Sequence, residues 1–139
     1  MGIVNMGLRI KTKDLNEIIK HSKREFPLEA CGILVGIKDD DAKVVEKIYK
    51  TKNILNSSSR YQIDPEEQLK IFLEADKNRS EVIGFYHSHP FYTAQVSNID
   101  ISSANYPECV YLIYSIQGNE FKCFLWIEDK FKFENIEET

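Results

Sequence analysis

Hydrophobic and polar positions along this chain switch between two periods, and the switches mark its elements. Leu8-Arg9-Ile10-Lys11 alternates as a half-buried strand does. From Thr12, the expected N-cap, Leu15, Ile18, Ile19, Ser22 and Phe26 recur at helical spacing, with Lys20, Lys23 and Arg24 on the other side, until Pro27 stops the helix. Leu28 to Ile37 is an almost continuous apolar run with one carboxylate, Glu29, near its start, which is the pattern of a buried strand. Lys38 to Asp41 makes a polar turn, and Ala42 to Asn53 reads as the return strand with Val44 and Ile48 in one register. Asn56 to Ser59 is loop, and Tyr61 to Ile63 a short strand. Asp64 caps and Pro65 opens a second helix, whose apolar face is Leu69, Phe72 and Leu73. Val82 to Tyr86 begins a central strand, which Pro90 ends because proline cannot extend the sheet hydrogen bonding. Phe91 to Val96 follows as a loop, and Ser97-x-x-Asp100 as a helix start with Ser97 as N-cap. Pro107 then breaks the chain before three strands, Cys109 to Ser115, Phe121 to Ile127 and Phe131 to Phe133, with turns at Gln117-Gly118-Asn119 and Glu128-Asp129-Lys130. Helices that alternate with strands early and strands that cluster late predict an α/β fold, a mixed sheet with helices packed against it.

Composition narrows the class. A chain of 139 residues with 42% hydrophobic and 12% aromatic content can bury roughly two-thirds of its surface, enough for one domain over residues 1–139, with 1–6 expected as a flexible lead. Eighteen basic against 22 acidic residues give a net charge of −4 without long runs, which argues against a nucleic-acid partner. No apolar run reaches membrane-spanning length, and the N-terminus has neither the basic flank and apolar core of a signal peptide nor a myristoylation signal, so no membrane partner is expected. The cysteines, Cys31, Cys109 and Cys123, form no C-x-x-C pair, and an odd count in apolar contexts fits reduced thiols of a cytoplasmic protein. Cys31 has no basic partner in sequence and reads as a packed core thiol.

Candidate chemistry concentrates at one place. Of three histidines, His87 and His89 sit one residue apart at the end of the central strand, where positions i and i+2 share a face about 6.6 Å apart along the chain. Ser88 then faces away. With Asp100 in the first turn of the following helix, two imidazoles and one carboxylate make three ligands, the number that leaves a tetrahedral zinc ion one open position. His21, on the first helix, is expected in a solvated or half-buried role. Glu29 is open to two readings: a base beside a metal, taking a proton from water and passing it to a leaving amine, or a strand-end glutamate in solvent. Nothing in sequence brings Glu29 to His87. Ser97 serves at least as an N-cap, and Phe91 and Tyr92 either pin their loop or line a cleft.

Glu29-Ala30-Cys31-Gly32-Ile33-Leu34-Val35-Gly36, followed by His87-x-His89-Pro90 and Ser97-x-x-Asp100, resembles the JAMM (MPN-domain) zinc metallopeptidases. The stretch from Tyr61 to Leu69 resembles the short prokaryotic branch of that family. The resemblance implies a curved mixed sheet between helices, zinc on His87, His89 and Asp100, Glu29 as general base, and Ser97 as a donor to the oxyanion of the tetrahedral intermediate. It implies as substrate a small ubiquitin-like or sulfur-carrier protein, cut after its C-terminal Gly-Gly tail, and leaves room for a homodimer. Many short members carry Ala-x-Pro-Ser where this chain has Ala94-Gln95-Val96-Ser97, without that proline. The inserted loops of chain-type-specific eukaryotic relatives have no room here. Three other functions compete: a non-haem iron enzyme on the same two histidines and aspartate, an amidohydrolase, which needs a barrel of about 250 residues, and a catalytically silent MPN scaffold.

Overall fold

The computed structural model describes residues 7–40 and 42–139. The expected flexible lead, residues 1–6, and Asp41 of the expected turn lie outside the described residues. In chain order the elements are β1 (Gly7–Ile10), α1 (Thr12–Glu25), β2 (Cys31–Asp39), β3 (Ala42–Thr51), α2 (Pro65–Lys77), β4 (Glu81–His89), α3 (Asn98–Ser103), β5 (Val110–Ser115), β6 (Glu120–Ile127) and β7 (Lys130–Glu138). The strands form one mixed sheet in the order β1-β3-β2-β4-β5-β6-β7, curved so far that β1 pairs in parallel with both β3 and β7 and closes it. The α/β expectation therefore holds.

Two apolar layers cover the two faces of β4. On one face α1 contributes Leu15 and Ile18 to a core with Leu34, Tyr86, Leu112 and Leu125. On the other, α2 contributes Ile71 and Ala75 against Ile33, Phe85 and Tyr111. Phe85 shares its face with His87 and His89, so the second layer floors the site. Gly32 is required by a close approach in the first layer: a Cβ there would stand 2.1 Å from the Tyr86 ring.

Several expectations are corrected. Thr12 is the first helical residue and not the cap; Lys11 holds the N-cap position, and the Thr12 hydroxyl donates to Glu138 at 2.7 Å. Leu69 and Leu73 do not form the buried face of α2, being 60% and 61% exposed; Ile71 and Ala75, on the opposite side of the helix, are buried instead. A bulge between Val35 and Gly36 shifts the β2–β3 register, so Val45 rather than Val44 joins Ile48 in the core. Tyr61 to Ile63 forms no strand beyond a single bridge between Asn53 and Ile63. β2 begins at Cys31, leaving Glu29 and Ala30 before it, and runs to Asp39, so the polar turn tightens onto Asp40 at φ 56°. β7 is longer than Phe131 to Phe133 because its whole length pairs with β6 or β1. Phe26 lies beyond α1 and is exposed. His21 is neither solvated nor half-buried: at 5% exposure its Nδ1 meets the Tyr86 hydroxyl at 2.8 Å. Burial, then Arg24 and Lys50, depress its pKa to about 4, so it packs as a neutral ring.

Candidate active site

β4 places the central pair. His87 and His89 project from the same face of the strand, as the period of two requires, and both are buried. Their Nε2 atoms stand 3.2 Å apart. Asp100 reaches both from the first turn of α3: Oδ1 is 3.0 Å from His87 Nε2 and Oδ2 is 3.0 Å from His89 Nε2. The helix start aims that carboxylate. Ser97 and Asp100 form a capping box, in which the Ser97 Oγ accepts the Asp100 amide at 3.0 Å and Asp100 Oδ2 accepts the Ser97 amide at 2.9 Å. Burial would push the Asp100 carboxyl up, but the facing His87, the hydrogen bonds from both histidines and the Ser97 amide together hold it well below the usual carboxylate range.

These donors fit a zinc ion. Bonds of about 2.0–2.1 Å in a tetrahedron set donors roughly 3.3 Å apart, close to the 3.2 Å between the two imidazole nitrogens and the 3.0 Å from each to its own oxygen of the Asp100 carboxylate. The tautomer agrees. His89 Nδ1 lies 2.7 Å from the Thr93 carbonyl, which can only accept, so Nδ1 carries a hydrogen, and the neutral ring that a metal ion requires would offer it the Nε2 lone pair. Among the described residues these three are the one group arranged to hold a metal.

Glu29 is brought to the site by the chain that precedes β2. It is 1% exposed, and its Oε1 has no hydrogen-bond partner. Burial, and next the Asp100 carboxylate, raise its pKa to about 9. The solvent-exposed reading of Glu29 is thereby set aside. Its backbone is tied on both sides: its amide donates to the Ser57 carbonyl at 2.8 Å, and its carbonyl accepts from Asn53 Nδ2 at 3.1 Å. The next residue, Ala30, donates to the Ser88 hydroxyl at 2.8 Å and accepts from the Ser88 amide at 3.0 Å.

The loop Phe91 to Val96 needs no proline to be held. Ala94 is fully buried against Ile113 and Phe124, and the Ser115 hydroxyl donates to the Tyr92 carbonyl at 2.6 Å. Phe91 and Tyr92 are both about half exposed, and Phe91 packs edge-on against Phe26. Cys31 is buried, with its thiol pushed up to about 12 by burial, as an inert core thiol should be. A cleft of about 620 Å³ is walled by Tyr61, Ile63, Gln68, Phe85, Tyr106 and Tyr111; it includes none of the three donor residues and meets the site through Tyr61, whose ring stacks on His87.

Three participants are absent from the motif-based reading: Ser88, set aside as facing away; Asn53, taken as the end of a strand; and Tyr61, whose ring stacks on His87 at 4.7 Å and 26°. A polar residue inside the His-x-His pair signals the first. No comparable signal marks Asn53, and Tyr61 is marked only as the start of the stretch that resembles the short prokaryotic branch, because the role of both depends on how a loop returns in space.

A curved mixed sheet with a His-x-His pair at the end of its central strand and an aspartate delivered by a short capped helix is the arrangement of a JAMM-type domain. Residues 11–127 match the family described as prokaryotic homologs of the JAB domain, and the chain belongs to that family. It is 32% identical over 122 residues to the desampylase of Haloferax volcanii, covering 84% of this chain and 86% of that protein. It is 31% identical over 108 residues to the CysO-cysteine peptidase of Mycobacterium tuberculosis, covering 78% and 73%. A protein of Desulfitobacterium hafniense, solved in solution, superposes with a TM-score of 0.86 at 33% identity, covering 95% of this chain and 92% of that one. No helix among the described residues is long and apolar enough to cross a membrane.

Proposed function

We propose that this protein is a zinc-dependent metallopeptidase that hydrolyses the amide bond after the C-terminal Gly-Gly tail of a small ubiquitin-like or sulfur-carrier protein. The observation that carries the reading is the convergence of two imidazole nitrogens and the two oxygens of one carboxylate, at 3.0–3.2 Å, with a buried glutamate brought beside them whose Oε1 has no hydrogen-bond partner. Relatives named as a desampylase and a CysO-cysteine peptidase support the substrate class.

His87, His89 and Asp100 would hold the ion. A bound zinc ion supplies Lewis acidity, lowering the pKa of water to about 7 and polarising the scissile carbonyl. Glu29 then has a fixed backbone, and its affinity for protons, raised by burial in the metal-free site, would be lowered by the positive charge of a bound ion, so that its carboxylate is free to act as a base. Its carboxylate takes a proton from the attacking water and delivers it to the leaving amine. Ser97 Oγ accepts one hydrogen bond at 3.0 Å, which leaves its O–H hydrogen uncommitted to the cap and available to the developing oxyanion. The cap and the oxyanion role are thus compatible. Tyr61, Phe85 and Tyr111 wall a cleft that meets the site at the Tyr61 ring and is suited to an extended tail.

The test is metal analysis of the purified protein, followed by incubation with carrier proteins bearing a cleavable C-terminal adduct. One zinc per chain is expected, lost in His87→Ala and Asp100→Ala together with cleavage. Stoichiometric zinc in both variants places the metal elsewhere, and a zinc-loaded protein inert toward every carrier favours the silent scaffold.

A further inference from the structure

The two imidazoles at the metal site are anchored unequally. His89 Nδ1 has the Thr93 carbonyl at 2.7 Å, the usual second support of a ligating histidine. His87 Nδ1 is buried and has no hydrogen-bond partner. The ring is held instead by Tyr61, stacked at 4.7 Å with 26° between the planes. Tyr61 is not in a strand and cannot be placed by a ladder. What places it is Asn53, whose buried carboxamide bonds the backbone on both sides of Tyr61: Nδ2 donates to the Arg60 carbonyl at 3.1 Å, and Oδ1 accepts the Gln62 amide at 3.2 Å. The same Nδ2 donates to the Glu29 carbonyl at 3.1 Å, and the same Oδ1 accepts the Leu55 amide at 3.1 Å. Both polar atoms of the side chain are fully engaged.

We propose that Tyr61 and Asn53 are positioning residues of the site: the Tyr61 ring fixes the orientation of His87 in place of a hydrogen bond, and Asn53 ties the backbone around Tyr61 and that of Glu29 to one side chain. This rests on the metal reading above. A stack resists tilting of the imidazole but leaves it free to slide, so it orients Nε2 without fixing the Nδ1 hydrogen. The expected loss on removing the ring is about tenfold or more in metal retention, the range found for outer supports of metal ligands. Asn53 acts on two partners, so its loss should reach the proton-carrying step as well as the metal.

The experiment measures zinc release from the loaded protein to a chromogenic chelator, beside kcat and KM on a carrier adduct and the melting temperature. Tyr61→Leu should release zinc at least about tenfold faster, and Tyr61→Phe, which keeps the ring, should restore release to within about twofold of wild type. A residue that only lined the cleft would change KM and leave release alone. Asn53→Asp keeps acceptor oxygens but loses both donors. It should release zinc faster, lower kcat further than Tyr61→Leu, and add little when combined with Tyr61→Leu in the release assay. Equal release by wild type and Tyr61→Leu, or fast release by Tyr61→Phe, overturns the inference while the metal site stands. Wild-type protein that takes up no zinc overturns both.

Discussion

The Ser88 hydroxyl accepts the amide N–H of Ala30 at 2.8 Å, so the residue between the two histidines, pointing away from them, holds the chain just past Glu29. One dipeptide of β4 therefore serves both sides of the site. Ser88→Ala leaves a buried amide without its partner at a cost of about 1–3 kcal/mol. The expected outcome is a lower melting temperature and a reduced kcat with zinc content unchanged. Loss of zinc with kcat per bound zinc preserved would show that Ser88 supports the histidines and not Glu29.

Glu29→Gln separates metal from chemistry. It should retain zinc and lose hydrolysis by at least ~100-fold, because the amide cannot carry the proton. Activity within tenfold of wild type would assign the base to another group.

The same substitution has a signature in the metal-free protein. The Glu29 pKa, about 9 when folded against 4.5 ordinarily, means that between those values the folded state binds a proton the unfolded state has lost. Its contribution to stability is fully present below pH 4.5 and declines as pH rises toward about 9. The neutral carboxamide of Glu29→Gln mimics the protonated acid, so the melting temperature of the variant should exceed that of wild type by a margin that grows from pH 5 to pH 8. A constant margin refutes the linkage.

His21 works in the opposite direction. Its pKa, about 4 when folded against 6.5 ordinarily, means that the unfolded chain binds the extra proton between those values. Stability from this group is complete above pH 6.5 and falls as pH drops toward 4. Wild type should lose more melting temperature than His21→Gln between pH 7 and pH 4.5. Parallel curves would remove His21 as the cause.

Substrate shape gives the last test. A tail threading a cleft walled by aromatic rings must approach the donors closely, and two glycines permit that approach. Replacing both carrier glycines by alanine should slow kcat/KM more than changing the leaving group from a lysine side chain to a short peptide. Equal rates for the two tails would discard the narrow-cleft argument.

The histidine pair, the Ser97 cap and the strand that ends at Pro90 are legible in sequence because each depends on local spacing: a period of two, a capping box, a missing amide. Helix faces are less so. Leu69 and Leu73 repeat at helical spacing as a core stripe would, but Ile71 and Ala75 are buried because of where α2 lies on the sheet. The β3 register failed for a similar reason, since a one-residue bulge rotates the face without changing the apolar pattern. Glu29 could be singled out as an oddity in an apolar run, whereas its closeness to Asp100 comes from β2 pairing with β4, a contact between segments far apart in the chain. Asn53 and Tyr61 belong to that long-range class as well.

Asp100 Oδ2 accepts the Ser97 amide at 2.9 Å and also faces His89 at 3.0 Å, so a single oxygen begins a helix and borders the proposed metal site. A helix of six residues, α3, has little stability of its own. Should the site hold a cation as proposed, order in this segment and affinity for that cation are coupled, and by reciprocity each changes the other by the same factor. Slow exchange of the Asp100, Ile101 and Ala104 amides, which bond back to Ser97 and Asp100, would then report occupancy of a centre that those amides do not touch.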